Sequence, residues 1–317
     1  SLDASYRGIQ YLDRAFIQFA GFTVGKTTSF FQFYGNALNY STLQGGGQSD
    51  AGLNLVAYTA QFAGGFSASI SLEDANQHRA GLYDATPYSG NIQGGNVLPI
   101  GALPGSLAIA AFDLAPPGIV PTYGAAPAYG DYAASKYPDV VGALRVDQPW
   151  GSAQLSAALH EVNTQYASIN STGANFAAFN KMGFAVQGGA KFNLPWAQGD
   201  ELWVQGTWAR GATNYLGFNP FVQTGGQFAM YSGGRTAPDR SVGLAWALDG
   251  VFDRNGLELV EGWAINVALQ HHWTPNLRTS VFGQYTSLDY GAARRIGEGG
   301  EGRAQGVDRH VGHHTVI

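Results

Sequence analysis

His160, with Ser152 and Ser156 on the same segment, is the nearest approach in this sequence to a base beside a nucleophile. Alternation along a strand puts His160 and Ser156 on one face, but neither a third group to orient the imidazole nor an oxyanion donor is evident. Acyl transfer is therefore poorly supported. His310, His313 and His314 carry donors for a divalent cation, yet they lie in a stretch with no apolar pattern, which reads as a solvated tail. Gly45-Gly46-Gly47-Gln48 is followed by no helix and cannot cradle a phosphate. With Cys at 0, disulfides, thiolate metal sites and thiol chemistry are all excluded. The sequence predicts no enzyme, no cofactor and no metal. What remains are charges set singly into strand-like segments: Arg14, Glu73, Arg145, Asp147 and Lys191.

The segments that carry them share one design. In Val56–Asp74, Val56, Tyr58, Ala60 and Phe62 are apolar at every second position. Beyond Ala63-Gly64-Gly65, so are Phe66, Ala68, Ile70 and Leu72, with Ser67, Ser69, Ser71 and Glu73 between them. Strand side chains alternate faces, so this is a hairpin with a greasy face and a wet face. Four more follow the same rule. Ala15, Ile17 and Phe19 precede Phe22 and Val24 across Gly21, and Val140–Val146 precede Ala153–Leu159 across Gln148-Pro149-Trp150. Phe184–Phe192 precede Leu202–Trp208, and Trp263–Leu269 precede Leu277–Tyr285. That makes ten wall strands, with long connections at 28–51, 75–137, 162–181 and 211–261. Short and long connections alternate, as an up-and-down barrel demands. The 75–137 stretch reads as irregular, and 211–261 as a loop holding a hairpin of its own. Residues 294–317, with seven charged side chains and no aromatic, form an atypical tail, expected to be disordered.

Composition says what the greasy face meets. Charged residues make up 12% of the chain, where soluble domains carry about 25%. Gly reaches 45 and aromatics 13%, while mean hydropathy is only -0.10 and no run approaches the ~18 apolar residues of a membrane helix. The fold expected is all-β: a transmembrane antiparallel up-and-down β-barrel. A net charge of -5 without a basic stripe argues against nucleic acid. Arg or Lys facing lipid at mid-bilayer costs about 2–4 kcal/mol, so Arg14, Arg145 and Lys191 must point inward with Glu73 and Asp147. Lys26 shares the outer face and reads as snorkelling at the loop-side rim. Trp150, Trp203, Trp208, Trp263 and Trp273 sit near strand ends, where interface girdles form.

The order Ala15-Phe16-Ile17-Gln18-Phe19-Ala20-Gly21-Phe22-Thr23-Val24-Gly25, then Gly65–Glu73, then Tyr137-Pro138-Asp139-Val140-Val141-Gly142-Ala143-Leu144, then Trp150-Gly151-Ser152 and Trp203–Trp208, resembles the porins of alpha-proteobacteria over roughly residues 10–292. The resemblance implies a 16-stranded trimeric outer-membrane barrel that passes small hydrophilic solutes and ions without a cofactor. About 10–12 of those strands are represented here, so the chain reads as an internal fragment, a partial barrel over 1–293. Loop 28–51 would be the constriction loop, offering Asn36, Asn39, Tyr40, Gln44 and Asp50, and 75–137 a long extracellular loop. Together with Arg14, Glu73, Arg145, Asp147 and Lys191 these are the candidates for the pore lining, and so sparse a set implies a weakly selective eyelet. Whether the wall charges select ions or merely pair with one another stays open. The other classes to weigh are a secreted or surface-exposed β-rich adhesive protein and an outer-membrane hydrolase.

Overall fold

A computed structural model describes residues 14–35, 37–38, 52–84, 129–165, 168–170, 173–175, 178–217, 227–232, 242–252 and 256–289. In chain order the strands are β1 (Ala15–Phe19), β2 (Phe22–Thr27), β3 (Leu53–Gln61), β4 (Phe66–Glu73), β5 (Gly81–Asp84) and β6 (Tyr129–Tyr132). After these come β7 (Asp139–Gln148), β8 (Gly151–Gln165), β9 (Ser168–Asn170), β10 (Gly173–Asn175), β11 (Asn180–Asn193) and β12 (Glu201–Arg210). The last are β13 (Gln227–Ser232), β14 (Val242–Phe252), β15 (Leu257–Leu259), β16 (Glu261–Thr274) and β17 (Leu277–Asp289).

One antiparallel ribbon runs β1-β2-β3-β4-β7-β8-β11-β12-β16-β17, the ten strands and five hairpins expected from alternation. Its Ala20-Gly21 turn has two residues, like Pro149-Trp150 and Pro275-Asn276; with φ of 49° and 85° both central residues take the left-handed region, as a type I′ turn requires. The outer face is apolar and exposed: Ile17 and Phe19 are 75% and 79% accessible, and Val56, Ile70, Leu144, Leu155, Val267 and Val281 continue the surface. A face of that composition has lipid as its solvent. β1 and β17 end the path and do not pair with each other among the described residues.

The inner face differs from a simple wet surface. Leu53, Leu55 and Ala57 of β3 point inward and are buried with Phe30 against them. Val141, Ala158, Ala185 and Ala209 form a cross-strand row with Gly262 and Leu288, and these small side chains leave room for Phe31, Tyr215 and Leu216. Trp203 also lies inside, because it pairs with Lys191 and Ala268 on the inner row and packs on Phe33 and Tyr34. It belongs to the interior, and the expected girdle is one tryptophan shorter.

The long connections are structured where described. Within 75–137, residues 85–128 lie outside the described residues; the described parts, expected to be irregular, form β5 and β6, which pair with each other. β5 also runs parallel to β14, and β6 pairs with the extended end of β8. These strands escape the alternation rule because they are covered by loops rather than lipid: Leu82, Val162, Phe252 and Leu257 form a core of their own. The 211–261 connection does hold its hairpin, β13 with β14, plus β15 against β14. Strand β8 runs to Gln165, past the boundary near His160 that alternation set. The tail 294–317 falls outside the described residues.

Candidate functional site

Cross-strand register stacks the inner face into layers, from the long-connection end to the short-turn end. Glu73, Asp139 and His160 form the first row, and the small apolar row described above lies below it. Next come Ser156, Gln187 and Thr207, then Arg145, Gln154, Gly189, Gln205 and Asn266. Asp147, Ser152, Lys191 and Trp203 make the last. A charge set into the sequence every few strands thereby becomes part of a ring segment.

The first row sits in a fully enclosed cluster. Asp139 accepts from His160 Nδ1 at 2.8 and 2.9 Å and from the Tyr215 hydroxyl at 2.6 Å. Asp249 of β14 accepts from the Tyr132 hydroxyl and the Ala80 amide, both at 2.6 Å, and from the Thr213 amide at 2.7 Å. Its carboxylate stands 3.9 Å from His160 Nε2, so one imidazole lies between two carboxylates. Glu73 accepts from Ser71 Oγ at 2.6 Å and faces His78 Nε2 at 3.2 Å, and His78 stacks on Tyr215 with centroids 4.3 Å apart. Burial, then the Asp139 charge, push the Tyr215 phenol well above its ordinary value; burial and Asp249 do the same for Tyr132. Both phenols stay protonated and serve as donors. Beside them Arg79 donates to Ala133 O and lies 4.4 Å over the Tyr132 ring.

This cluster supplies the orienting carboxylate that the sequence did not reveal for His160, yet it does not make a hydrolase. The Ser156 hydroxyl donates to Phe31 O at 2.8 Å, and His160 is 0% exposed. A nucleophile committed to the backbone, with the Ala158 row between it and a base that no substrate can reach, performs no acyl transfer.

From β2 the chain enters the interior and crosses it. Phe30 donates its amide to Glu73 Oε1, Phe31 O lies against β8 and β11, and Tyr34 donates its amide to Gln205 Oε1 on β12. Tyr34 and Leu38 then reach Ala268 of β16. The described part of loop 28–51 thus spans the inner face from β4 to β16, sealing the titratable cluster from the short-turn side.

Below this crossing a cavity of about 240 Å³ is lined by Arg145, Asp147, Gln148, Gly151, Ser152, Lys191, Asn193 and Trp203. Its charges are paired. Arg145 holds Asp147 through Nε and Nη2 at 2.8–3.1 Å, and Lys191 Nζ stands 2.7 Å from Glu201.

The predicted lining residues therefore divide. Arg145, Asp147 and Lys191 meet at this cavity, whereas Glu73 faces inward but is 1% exposed inside the sealed cluster. Arg14 lies on the inner side of β1 by parity with Gln18, whose amide donates to Thr23 Oγ1. Asn36, Asn39, Tyr40, Gln44 and Asp50 lie outside the described residues. Sequence reasoning missed Glu201, which shares the inner parity of Trp203, and the whole set His78, Asp139, Tyr132, Tyr215 and Asp249. Only Asp139 offered a signal, as an inward position in its own alternating strand.

The sequence model of the porin subfamily matches residues 3–309. No curated protein matches the chain. Among solved structures, the outer-membrane channel DcaP of Acinetobacter baumannii is similar in fold, with a TM-score of 0.51 at 16% identity. The likeness covers 89% of this chain and 57% of that one, so this chain spans little more than half of that channel's length.

Proposed function

We propose, from the premise that this chain belongs to the porin family and is an outer-membrane β-barrel protein, that it forms the wall of a water-filled channel for passive diffusion of small hydrophilic solutes and ions. The observation that carries the reading is the two-faced ribbon: an unbroken apolar outer surface and a polar inner surface crossed by an inward loop. Family membership sets it among passive channels rather than enzymes. Loop 28–51 acts as the constriction loop, 75–137 as an extracellular loop, and Arg14, Arg145, Asp147 and Lys191 contribute to the lining with Asn36, Asn39, Tyr40, Gln44 and Asp50. The eyelet is weakly selective, a reading supported by the mutual neutralisation of Arg145 with Asp147 and of Lys191 with Glu201. The working assembly is a homotrimer of the alpha-proteobacterial type, as the motifs around Tyr137–Leu144 and Trp150-Gly151-Ser152 suggest. Reconstitution in a planar bilayer tests the channel: discrete conductance steps are expected, and their absence at saturating protein sinks it.

A further inference from the structure

We propose that Gln154, Ser156, Gln187 and Gln205, with the bare backbone of Gly189, form a neutral clamp that fixes residues 30–34 across the barrel interior and so sets how far the channel is occluded; this rests on the channel reading above. The wall side chains grip backbone rather than side chains. Gln154 Nε2 donates to the carbonyls of Phe30, Phe31 and Gln32 at 3.1–3.3 Å. Ser156 Oγ and Gln187 Nε2 both donate to Phe31 O at 2.8 Å, and Gln205 Oε1 receives the Tyr34 amide at 3.0 Å. These groups come from β8, β11 and β12, three neighbours in the wall, so the grip is spread over a surface rather than a point.

Two details show that the seat is shaped for this segment. Thr207 Oγ1 donates to Gln187 Oε1 at 3.2 Å, which turns the amide so that its nitrogen, and not its oxygen, meets Phe31 O. A Cβ on Gly189 would lie 2.5 Å from Phe33 Cδ1, so the Phe33 ring occupies the space a side chain would take. The four clamping side chains are all buried, where an unmade hydrogen bond is costly. None of them titrates, so the grip itself carries no charge. Titratable side chains meet the crossing outside this clamp: Glu73 accepts the Phe30 amide at its β4 end, and Arg145 lies 5.7 Å over the Phe33 ring.

The chain has no native Cys, so Leu38→Cys gives a single reporter at a position 2% exposed on the crossing segment. A membrane-impermeant maleimide should label it slowly in the otherwise unchanged, refolded protein. Adding Gln154→Leu and Gln187→Leu should raise the labelling rate about tenfold. Thr59→Val, which removes the inner-face hydroxyl bonded to Ser69, should leave the rate as it was. Gln187→Glu keeps the shape and guards against a folding artefact: its carboxylate repels Phe31 O at about pH 9, while at about pH 5 the protonated acid donates again, so its labelling rate, divided by that of the Leu38→Cys parent at the same pH to cancel the thiol's own titration, falls on acidification. An unchanged rate in the double variant, or a Gln187→Glu rate whose ratio to the parent's is the same at both pH values, overturns the clamp. Single-channel conductance of the same proteins should rise when the clamp is removed; faster labelling at constant conductance overturns its role in setting the aperture. A parent protein without conductance steps sinks the channel reading and the aperture with it, while labelling still decides whether the clamp holds the segment.

Discussion

The two charged regions of the interior use the same residue types to opposite ends. At the long-connection end, Glu73, Asp139, Asp249, His78 and His160 are buried, and their partners come from wall strands and loop elements alike. At the short-turn end, Arg145 and Asp147 are neighbours on one strand, with side chains 41% and 55% accessible. Burial decides the difference. An enclosed carboxylate must be fully paired, and its pairing locks the elements that meet there. A solvated pair costs little to open, contributes little to stability, and leaves its charges accessible to water. The inward segment 29–38 separates the two regimes.

Substitutions can break this contrast, and the largest effect belongs to the enclosed region. Asp139→Ala should lower unfolding stability in detergent by about 3–5 kcal/mol, since it strands His160 and the Tyr215 hydroxyl. A loss below about 1 kcal/mol would put the cluster in the same class as the cavity pairs. Glu73→Gln keeps the volume and one acceptor but weakens the contacts with His78 and the Phe30 amide. Its cost should be about 1–3 kcal/mol, seen as an earlier denaturation midpoint; an unshifted midpoint argues that Glu73 anchors nothing.

At the cavity the order of effects reverses. Arg145→Gln should change stability by no more than about 1 kcal/mol, yet shift the reversal potential toward cation preference, because Asp147 loses its counter-charge. Asp147→Asn should shift it the other way. Equal reversal potentials in both variants would remove this pair from the lining. Lys191→Gln should behave like Arg145→Gln, with Glu201 the released anion.

The smallest effect lies in the turn between β11 and β12. Burial pushes the Asp200 carboxyl up, but the His272 amide and then the His271 and His272 rings hold it below its ordinary value. A carboxyl depressed in the folded state stabilises above its unfolded value, near about pH 4, and that contribution fades as pH falls through the folded value. Asp200→Asn should therefore flatten the stability curve below about pH 4 and leave its slope above neutrality intact. A parallel curve would assign acid sensitivity elsewhere.

How much of this was legible in advance follows from the range of each interaction. The hairpins at Ala15–Thr27 and Leu53–Glu73 were readable because the side-chain period of a strand is local, and lipid on one face keeps it clean. Strands β5 and β6 were not readable, since neither meets lipid and their partners lie far away in sequence. Trp203 was misjudged for a related reason: its position near a strand end suggested an interface, while the parity of Lys191 and Ala268 put it inside. The pairing of Lys191 with Glu201 hid behind a turn whose length decides which residues face each other.

Period-two alternation with scarce charge, acting between adjacent residues, determined by itself that this chain is an antiparallel two-faced wall with inward charges. Tertiary structure alone decided what those charges do. The contacts of Phe31 with Gln187, of Tyr34 with Gln205 and of His160 with Asp249 depend on how the sheet curves around the crossing segment. Curvature and register are summed over many strands, and no local stretch of sequence encodes that sum.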